Sequence, residues 1–474
     1  MNLIDAVSYV NKKTAKYVAS HKTPGAGVAI VSGTNIYLLK GYGVNDLMSG
    51  CPMTIHREIL LASVSKILAG TLLCILEQEN TGKILDAKVD IITSDPYVTE
   101  NMTVTDLLSH RSGIPEQYGT VSEALGLSRK FIINSLSLAP NDDFRSVFHY
   151  TDIPFTQGVV VGINKANLSV NQAYQKLFNI IGMNETSINF EPNKYKGYIE
   201  MPAINPNENM PNDKSIRCKG KWFPVFNEYV EQQFAAGGTY STLNDMAKFL
   251  QFQLQQGMLP ENERLINSRF YEGVFIRDNN LLYGYGIDIR YLNVAGELRK
   301  EFGHSGALEN VRTIMLWIQS LNIGIFVNVN SSPNGFPEAI TQAFYAKLNG
   351  ATDTEANIVF NSINESVTDA LANLICPVIC CSKGFRNIDR KIIGKYYNNE
   401  WGPLIINENG YIKLAKLKAV ALYRFSENGY RFVAKSISKV PYYGQIEYNN
   451  GTLTVVFFCE TRIYCLVSKI SKYN

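Results

Sequence analysis

The chain has 474 residues, 46% of them hydrophobic and 18% charged, a composition typical of folded globular proteins. This length exceeds the size at which a single hydrophobic core stops growing, so we expect two domains. The 45 basic and 42 acidic residues give a formal net charge of +3, and they form no run of lysine and arginine. Because binding to phosphate backbones requires such a basic stripe, we do not expect a nucleic-acid partner.

The N-terminal segment lacks the apolar run of a signal peptide, because Lys12 and Lys13 come before any uncharged stretch. We therefore expect a cytoplasmic or already processed protein, and its localisation stays open. The most apolar stretch, residues 59–76, is interrupted by two serines and a lysine. It is too short and too polar for a membrane span, so we expect no transmembrane segment.

Eight cysteines lie along the chain without the C-x-x-C spacing of a zinc site, and no histidine follows His304 to complete one. We therefore expect neither a metal nor another cofactor. Disulfides are expected only if the protein is exported, and otherwise these cysteines are small buried apolar residues. They occupy positions 51, 74, 218, 376, 380, 381, 459 and 465.

The first elements in chain order are a hairpin and a helix. Residues 24–47 contain a glycine turn and then two apolar runs separated by Ser-Gly-Thr-Asn, which predicts a β-hairpin. From Val64 onward, apolar residues recur every three or four positions until the polar sequence that begins at Asn80. This period predicts a helix of about four to five turns that starts near Ser63.

The middle of the chain alternates helical patterns with one long polar stretch. Helical periods occur in residues 104–136 and 167–181, and Ser241 and Thr242 can cap a further helix. Residues 189–224 are polar and are interpreted as loops that shape the substrate pocket. The later part predicts three strands and then a helix, at residues 282–291, 313–318, 323–328 and 337–348. Helices flanked by early and late antiparallel strands predict an α+β domain whose sheet is closed by both ends of the sequence.

The sequence pattern changes again near residue 385. Residues 351–385 form a predicted connector with helical content. From Gly394 to the end, short alternating strands are broken by Asn-Gly turns at regular spacing, which is typical of an antiparallel meander or barrel. The predicted organisation is therefore a catalytic domain at 1–350, the connector, and a small β domain at 386–474.

Ser63 and Lys66 form a Ser-x-x-Lys motif at the start of the predicted helix, so their side chains lie on one face about one turn apart. A lysine whose pKa is lowered by burial or by neighbouring cations can take the proton of a serine hydroxyl and make the serine a nucleophile. The start of a helix also offers backbone N–H groups to developing negative charge. Taken alone, the same two residues also fit a helix cap and a solvated lysine.

A second Ser-x-x-Lys sequence occurs at Ser436 and Lys439. It falls in the strand-rich C-terminal part, where residues three apart point to opposite faces of a sheet. We therefore assign the chemistry to Ser63 and Lys66 alone.

The surroundings of Ser63 resemble the active-site region of the penicillin-recognising serine hydrolases, the family of β-lactamases and penicillin-binding proteins. The stretches that carry the resemblance are residues 41–43, 62–66, 103–115 with His110, and 236–242 with Asp245. The resemblance extends over residues 20–345. It implies a β-lactamase/transpeptidase-like α+β domain with an antiparallel sheet, helices on both sides of the sheet, and an all-helical lobe. It also implies hydrolysis through an acyl-Ser63 intermediate.

The sequence Tyr150-Thr151-Asp152 resembles the Tyr-x-Asn element of that family. The resemblance implies that Tyr150 shares a proton with Lys66 and passes it to the leaving group, which suits a phenol whose pKa is lowered by a nearby cation. The alternative is a half-buried tyrosine with a purely structural partner. Asp152 replaces the asparagine of true β-lactamases, whereas esterase-like relatives often carry Tyr-x-Asp, so its contact with a substrate amide is an open expectation.

His304, Ser305 and Gly306 correspond to the Lys-Thr-Gly strand of the family. The resemblance implies that His304 is catalytic, that Ser305 and Gly306 contact substrate, and that the N–H groups of Ser63 and Ala307 form an oxyanion hole. A histidine is mostly neutral at pH 7, unlike the lysine that pairs with the carboxylate of a β-lactam. The change favours an esterase or a D-aminopeptidase-like enzyme with weak or no β-lactamase activity.

Three other interpretations are considered beside this one. Residues 303–307 nearly match the Gly-x-Ser-x-Gly elbow of α/β-hydrolases, but that fold needs a histidine after the serine and none follows Ser305. A catalytically inactive binding or scaffold protein is the non-enzymatic alternative. A true β-lactamase or DD-peptidase is the third.

The expected partner is a small substrate, with esters, D-amino-acid peptides and β-lactam-like molecules as candidates in that order. A homo-oligomer is left open. Residues 386–474 resemble the lipocalin-like β-barrel appended to several relatives, with the stretches at 394–397 and 411–422 as its opening strands. That resemblance implies a domain that packs on the catalytic domain and narrows the substrate entrance.

Overall fold

The structure is a computed structural model of the chain. It describes residues 2–141, 143–189, 197–201, 221–225, 231–258, 264–278, 281–374, 388–424, 429–435, 441–449, 452–457 and 460–468. The helices are α1 (Leu3–Ala19), α2 (Ser65–Glu79), α3 (Pro96–Asn101), α4 (Val104–Leu108), α5 (Thr120–Ala124), α6 (Arg129–Ser135), α7 (Asp152–Lys165), α8 (Val170–Ile181), α9 (Leu243–Leu254), α10 (Phe336–Leu348) and α11 (Asp353–Leu374).

The strands of the first 350 residues are β1 (Gly25–Val31), β2 (Ile36–Asp46), β3 (Cys51–Pro52), β4 (Ile59–Leu60), β5 (Gly197–Met201), β6 (Lys221–Val225), β7 (Tyr240–Ser241), β8 (Phe275–Asp278), β9 (Leu281–Tyr283), β10 (Asp288–Val294), β11 (Glu297–Leu308), β12 (Val311–Ile318), β13 (Ile323–Val329) and β14 (Ser331–Ser332). The later strands are β15 (Gly394–Asn398), β16 (Gly402–Ile406), β17 (Tyr411–Leu414), β18 (Val420–Ala421), β19 (Tyr423–Arg424), β20 (Gly429–Lys435), β21 (Pro441–Asn449), β22 (Thr452–Phe457) and β23 (Glu460–Ser468).

The main sheet contains strands from the beginning and from the end of residues 1–350. Its strand order is β3-β2-β1-β13-β12-β11-β10-β9-β8. β1 pairs with β2 as the predicted hairpin, and on its other side β1 pairs antiparallel with β13. The prediction of a sheet closed by early and late strands is therefore confirmed.

Different helices cover the two faces of this sheet. On one face α1 and α10 pack in a buried cluster that includes Val28, Ile325 and Phe344. On the other face α2 and α9 belong to a larger cluster that includes Ala29 and Phe326. Adjacent residues fall in different clusters because successive side chains of a strand point to opposite faces. Both faces of β1 are buried, which explains its unbroken apolar sequence.

α2 is surrounded by other elements on every side. Its residues 65–77 are all buried, and a helix buried all round needs apolar residues on each face. The predicted helix is confirmed and ends at Asn80 as expected. The segment that contains Ser63 is a tighter 3-10 turn, Ala62–Val64, which precedes the α-helix.

Helices α3 to α8 form a lobe beside α2. Thr103 caps α4 through a capping box with Asp106, which satisfies backbone N–H groups at the helix start. The buried Asp106 carboxylate also pairs with Arg145 at 2.7 Å, so its charge is compensated. The helical periods in residues 104–136 and 167–181 are confirmed as α4, α5, α6 and α8.

Two predictions about strands are corrected by the structure. The polar stretch 189–224 is not all loop, because its described part contains β5 and β6, which pair with each other. The predicted strand 282–291 is split into β9 and β10 by a turn at Gly286. Gly286 has a φ of +75°, and a Cβ there would lie 2.5 Å from the carbonyl oxygen of Lys66, so the turn packs tightly against the start of α2.

The C-terminal part is a second antiparallel sheet. Among the described residues its order is β18-β17-β16-β15-β23-β22-β21-β20-β19. The predicted meander is confirmed. Within that described portion, no hydrogen-bonded pairing joins the terminal strands β18 and β19, so closure into a lipocalin-like barrel stays a prediction.

This second sheet packs against α5 and α6 of the helical lobe. Ser122 Oγ donates to the carbonyl oxygen of Glu400 at 2.7 Å, and the N–H of Lys416 donates to the carbonyl oxygen of Leu125 at 3.3 Å. The large side chain of Trp401 is buried in the same apolar cluster as the helical lobe. The two parts of the chain therefore share buried apolar surface.

The described ranges contain two free thiols and lack the features of a membrane span or of a metal site. None of the helices there is long and apolar enough to cross a membrane. No group of three or more His, Cys, Asp or Glu side chains in the same ranges could hold a metal ion. Cys51 and Cys74 are free thiols and Cys465 lies in β23, whereas the other cysteines fall outside the described residues.

Candidate active site

Ser63 lies where α2 meets the main sheet. Ala62, the residue before it, has a φ of +48°, a left-handed conformation that is uncommon for a residue with a side chain. The turn is held from two sides, because the N–H of Leu61 donates to the Thr239 carbonyl oxygen at 2.9 Å and Thr313 Oγ1 donates to the Leu61 carbonyl oxygen at 2.7 Å. The surrounding strands thus impose a backbone that leaves the Ser63 side chain partly exposed.

β11 passes beside this turn at Gly306. A Cβ on Gly306 would lie 2.9 Å from the backbone nitrogen of Ser63, so no larger residue fits. The sequence analysis expected Gly306 to allow substrate backbone to approach closely, and that role stays a prediction. The structure shows that the turn at Ser63 also approaches Gly306 closely. Ser305 and Ala307 flank Gly306 on β11, and both are partly buried. Their substrate contact and the oxyanion hole of Ser63 and Ala307 stay predictions.

The side chain of Lys66 is fully buried and donates to three acceptors. Its Nζ lies 3.3 Å from Ser63 Oγ, 2.5 Å from Asp152 Oδ1 and 2.9 Å from the carbonyl oxygen of Ala236. An ammonium group has three N–H donors and no acceptor. The set of partners therefore matches a protonated lysine.

The charge state of Lys66 differs from the one predicted from the sequence. Burial acts to lower the pKa of Lys66, but the Asp152 carboxylate and the Tyr150 phenol act in the opposite sense and leave the pKa above its ordinary value. The prediction of a lysine with a lowered pKa is therefore wrong. In the resting site Lys66 is an ammonium ion and has no lone pair for the proton of Ser63.

Tyr150 is the second neighbour of the serine. Its hydroxyl donates to Ser63 Oγ at 2.9 Å, and Lys66 Nζ lies 4.6 Å from the centroid of the Tyr150 ring. Burial raises the pKa of Tyr150, and the nearby Lys66 offsets only part of that rise. The required cation is thus present, but the phenol stays protonated in the resting site and acts as a donor.

Asp152 begins α7 and turns its carboxylate toward Lys66. Its side chain is 19% exposed, while that of Lys66 is not exposed at all. A buried ammonium without a counter-charge is strongly unfavourable, so the pairing explains how Lys66 stays charged. The contact of Asp152 with a substrate amide, left open by the sequence, stays a prediction, whereas its contact with Lys66 is present in the structure.

His304 is a buried and neutral histidine. Its Nδ1 contacts the carbonyl oxygen of Ser305 at 2.5 Å, and because a carbonyl can only accept, Nδ1 carries the proton. Nε2 then accepts from the hydroxyl of Tyr283 at 3.1 Å. Burial lowers the pKa of His304 to about 3, with a further contribution from the charge of Lys66. At neutral pH the ring has no charge, as the sequence predicts, and both ring nitrogens have partners.

Comparison with known protein families matches residues 10–349 to the family described as Beta-lactamase. The chain belongs to the Beta-lactamase family. Among solved structures, the octameric penicillin-binding protein homologue from Pyrococcus abyssi is similar over 97% of this chain and 99% of its own, with a TM-score of 0.58 and 18% identity. That likeness shows a shared β-lactamase and penicillin-binding-protein fold.

A curated relative is the Unguisins hydrolase ungD' of Aspergillus campestris (strain IBT 28561), which is 22% identical over 242 residues. The match covers 48% of this chain and 43% of that protein, so this chain spans less than half the length of the relative. The relative is named as a hydrolase. Its name agrees with the Beta-lactamase family and leaves the substrate of this chain open.

Membership of the Beta-lactamase family agrees with the exclusion of the competing Gly-x-Ser-x-Gly interpretation. Residues 303–307 lie within the continuous strand β11. A nucleophile elbow instead needs a sharp turn from a strand into a helix. The other Ser-x-x-Lys sequence, at Ser436 and Lys439, lies outside the described residues.

Three contacts of this Beta-lactamase-family site were not predicted. His110 is fully buried, and its Nδ1 accepts from the N–H of Thr151 at 3.2 Å, which fixes the backbone between Tyr150 and Asp152. The other two are the Tyr283 hydroxyl on His304 and the Ala236 carbonyl on Lys66. A histidine in the family-like segment was a signal for the first, whereas a backbone carbonyl has no signal in the sequence.

Proposed function

We propose that the protein is a serine hydrolase that acts on ester or amide substrates through an acyl-Ser63 intermediate. The observation that carries the proposal is the position of the Ser63 hydroxyl, between Lys66 Nζ and the Tyr150 hydroxyl and next to the Lys66–Asp152 ion pair. A nucleophile and its acid-base groups within hydrogen-bond reach are the arrangement that covalent catalysis requires. The mechanism needs no cofactor.

In the acylation step, the Ser63 oxygen attacks the carbonyl carbon of the substrate and its proton moves to Lys66. Because Lys66 is already an ammonium ion, it passes one of its own protons to the Asp152 carboxylate as it receives the serine proton. The ion pair thus gains one proton, and Asp152 becomes a carboxylic acid. The electron pair of the carbonyl moves to its oxygen, which the N–H groups of Ser63 and Ala307 bind.

Collapse of the tetrahedral intermediate breaks the bond to the leaving group. Tyr150 gives its phenol proton to the leaving oxygen or nitrogen and recovers a proton from the Lys66–Asp152 pair, which returns to its resting state. Water then attacks the acyl-Ser63 ester and gives its proton to the same pair. Ser63 leaves with a proton delivered through Tyr150, so the enzyme is regenerated.

The neutral side of the site supports substrates that lack a carboxylate beside the scissile bond. His304 carries no charge at neutral pH, and its two nitrogens are engaged with Tyr283 and Ser305. A carboxylate buried there without a cation would lose its hydration and gain no charged partner. An esterase is therefore our first proposal, a D-amino-acid peptidase the second, and efficient β-lactam hydrolysis the third.

The test is burst kinetics with p-nitrophenyl butyrate on the wild type and on Ser63→Ala. D-alanine p-nitroanilide and nitrocefin are measured beside it. We expect an initial burst of nitrophenol from the wild type that is absent from Ser63→Ala, together with the highest kcat/KM for the ester. Unchanged turnover in Ser63→Ala would contradict the acyl-enzyme proposal and favour the binding or scaffold alternative.

A further inference from the structure

We propose that Glu123 and Gln233 are positioning residues for Lys66, and that the C-terminal sheet holds Glu123 in place through α5. The inference rests on the proposed function, because Lys66 is the group that moves the proton of Ser63. Neither residue belongs to the motifs of the catalytic site. Both act through the backbone around Ala236.

A buried hydrogen bond joins Glu123 and Gln233. Glu123 on α5 is 1% exposed and Gln233 is 4% exposed. The Nε2 of Gln233 donates to Glu123 Oε2 at 2.9 Å. Within the described part of the chain, the other carboxyl oxygen of Glu123 has no hydrogen-bond partner. Because a buried polar group is costly unless it is paired, this single bond strongly favours one arrangement of the two side chains.

Hydrogen bonds of the backbone around Ala236 connect Gln233 to Lys66. The carbonyl oxygen of Gln233 accepts from the N–H groups of Ala236 at 2.9 Å and of Gly237 at 2.8 Å, which closes a turn. That turn directs the Ala236 carbonyl oxygen to Lys66 Nζ at 2.9 Å. A Cβ on Gly237 would lie 3.1 Å from Gln233 Oε1 and 3.9 Å from the carbonyl carbon of Ala62. The Gln233 amide and the backbone of Ala62, which precedes Ser63, therefore both lie close to Gly237.

Two hydrogen bonds connect α5, which carries Glu123, to the C-terminal sheet. Ser122, its neighbour on α5, donates through Oγ to the carbonyl oxygen of Glu400 at 2.7 Å. At the end of the same helix, the Leu125 carbonyl oxygen accepts from the N–H of Lys416 at 3.3 Å. α5 has only five residues and is too short to be stable alone, so these contacts fix its position.

The charge state of Glu123 fits a geometric role. Burial raises the pKa of Glu123 well above its ordinary value, and the neighbouring carboxylates of Asp152 and Glu309 add to the rise. Burial therefore favours the neutral, protonated form of Glu123. In this form Glu123 accepts from Gln233 without adding a negative charge that would compete with Asp152 for Lys66.

The experiment compares the pH dependence of kcat/KM for p-nitrophenyl butyrate in Gln233→Leu, Glu123→Leu and Glu123→Gln. The matched control is Gln253→Leu, because Gln253 is also a buried amide, bonded to Thr71 and Tyr271 away from the nucleophile. Circular dichroism establishes that each variant is folded. The rate of labelling of Ser63 by a fluorophosphonate, measured over the same pH range, gives a second readout.

In the leucine variants the Ala236 carbonyl is no longer held in position and stabilises the Lys66 ammonium less. The pKa of Lys66 should therefore fall. We expect the limb of the pH profile that depends on Lys66 to move to lower pH by about half a unit to one unit in Gln233→Leu and Glu123→Leu. Their kcat/KM at pH 7 should fall about tenfold. Glu123→Gln keeps a neutral acceptor for Gln233, so it should stay within about threefold of the wild type.

A limb that stays in place in Gln233→Leu and Glu123→Leu, or moves equally in Gln253→Leu, would overturn the inference. If Ser63→Ala abolishes activity in the same assays, the proposed function survives that result and only the positioning role fails. If the leucine variants do not fold, the pH profile of Ser122→Ala is compared with that of the control Ser137→Ala. The exposed hydroxyl of Ser137 donates locally to the carbonyl oxygen of Asn134. A smaller shift to lower pH in Ser122→Ala alone supports the inference, and no difference between the two contradicts it.

Discussion

The two sides of Ser63 are both buried but differ in charge. On one side the Lys66 ammonium and the Asp152 carboxylate form an ion pair at 2.5 Å. On the other side His304 and Tyr283 form a neutral hydrogen bond at 3.1 Å. Burial acts to lower the pKa of both Lys66 and His304. At Lys66 the close carboxylate of Asp152 outweighs burial and leaves the pKa above its ordinary value, whereas the pKa of His304 is lowered.

The difference in charge assigns the two sides different roles in the proposed function: proton transfer on the charged side and substrate binding on the neutral side. Charge is concentrated where the proposed mechanism accepts and returns a proton, and there the charges of Lys66 and Asp152 neutralise each other. The side that corresponds to the Lys-Thr-Gly strand carries a neutral His304, because burial and the charges of Lys66 and Arg277 disfavour protonation of its ring. The ion pair supports the proposed proton transfer, and a neutral His304 is a weaker partner for an anionic substrate than a cation at this position would be.

Removal of the carboxylate from the charged side should have the largest effect. In Asp152→Asn, Lys66 loses its counter-charge, so burial lowers the pKa of Lys66 without opposition. We expect kcat/KM for p-nitrophenyl butyrate at pH 7 to fall about 100-fold, as is typical for the loss of an acid-base group. The limb of the pH profile that depends on Lys66 should move to lower pH by about one to three units. Stopped-flow measurements from pH 5 to about 11 follow both effects, because the pKa of Lys66 in the wild type lies above its ordinary value of about 10.4.

The matched control for this variant is Asp245→Asn. Asp245 is also buried and paired with a lysine, Lys248, at 2.9 Å, but it lies in the first turn of α9 and takes no part in the hydrogen bonds around Ser63. It should change stability and leave the pH profile in place. Equal profiles for the two variants, or an unmoved limb in Asp152→Asn, would rule out the ion pair as the proton acceptor.

Addition of a cation to the neutral side should have a smaller effect and act on substrate choice. His304→Lys gives β11 the ammonium group that a carboxylate-bearing substrate needs. We expect the ratio of kcat/KM for nitrocefin to that for p-nitrophenyl butyrate to rise about tenfold, the value of one charged hydrogen bond. Steady-state kinetics on both substrates measure the ratio.

His304→Gln controls for loss of the imidazole without a change of charge. The ratio should stay near that of the wild type in this variant, even if both rates fall. A rise in the ratio in His304→Gln, or no rise in His304→Lys, would show that the charge of this position does not set substrate preference.

The sequence alone predicted those parts of the fold that depend on local patterns. Three elements each have an apolar period and a stop signal within about 20 residues. They are the hairpin of β1 and β2, the helix after Ser63 and the helix capped by Thr242. The Ser63-x-x-Lys66 pair could be placed on one helix face for the same reason. β5 and β6 were not predicted, because both strands are short and their neighbours in sequence are polar. The two strands also pair across a long intervening segment, which a local pattern does not indicate.

The chemistry of the site depended on contacts between distant residues, which local patterns do not contain. Asp152 is 86 residues from Lys66 in sequence. Their contact, which raises the pKa of Lys66 against the effect of burial, exists only after α2 and α7 pack together. The Ala236 acceptor is a backbone carbonyl, which every residue has. His304 was expected to be neutral from its residue type, but its fixed tautomer follows from Tyr283 and from the backbone of Ser305.

Loss of the Tyr283 hydroxyl should have the smallest effect of the three changes. In Tyr283→Phe the acceptor Nε2 of His304 is left buried and unpaired, which costs about 1–3 kcal/mol of unfolding free energy. Because no charge is added or removed, kcat/KM should fall only about threefold and the ratio of nitrocefin to ester rates should not change. Urea denaturation followed by tryptophan fluorescence measures the stability. Tyr174→Phe is the control, since the Tyr174 hydroxyl is buried without a partner in the described part of the chain and its removal should cost nothing. Equal stability of the two variants would mean that the hydroxyl of Tyr283 does not hold His304, and the neutrality of that side would then rest on burial alone.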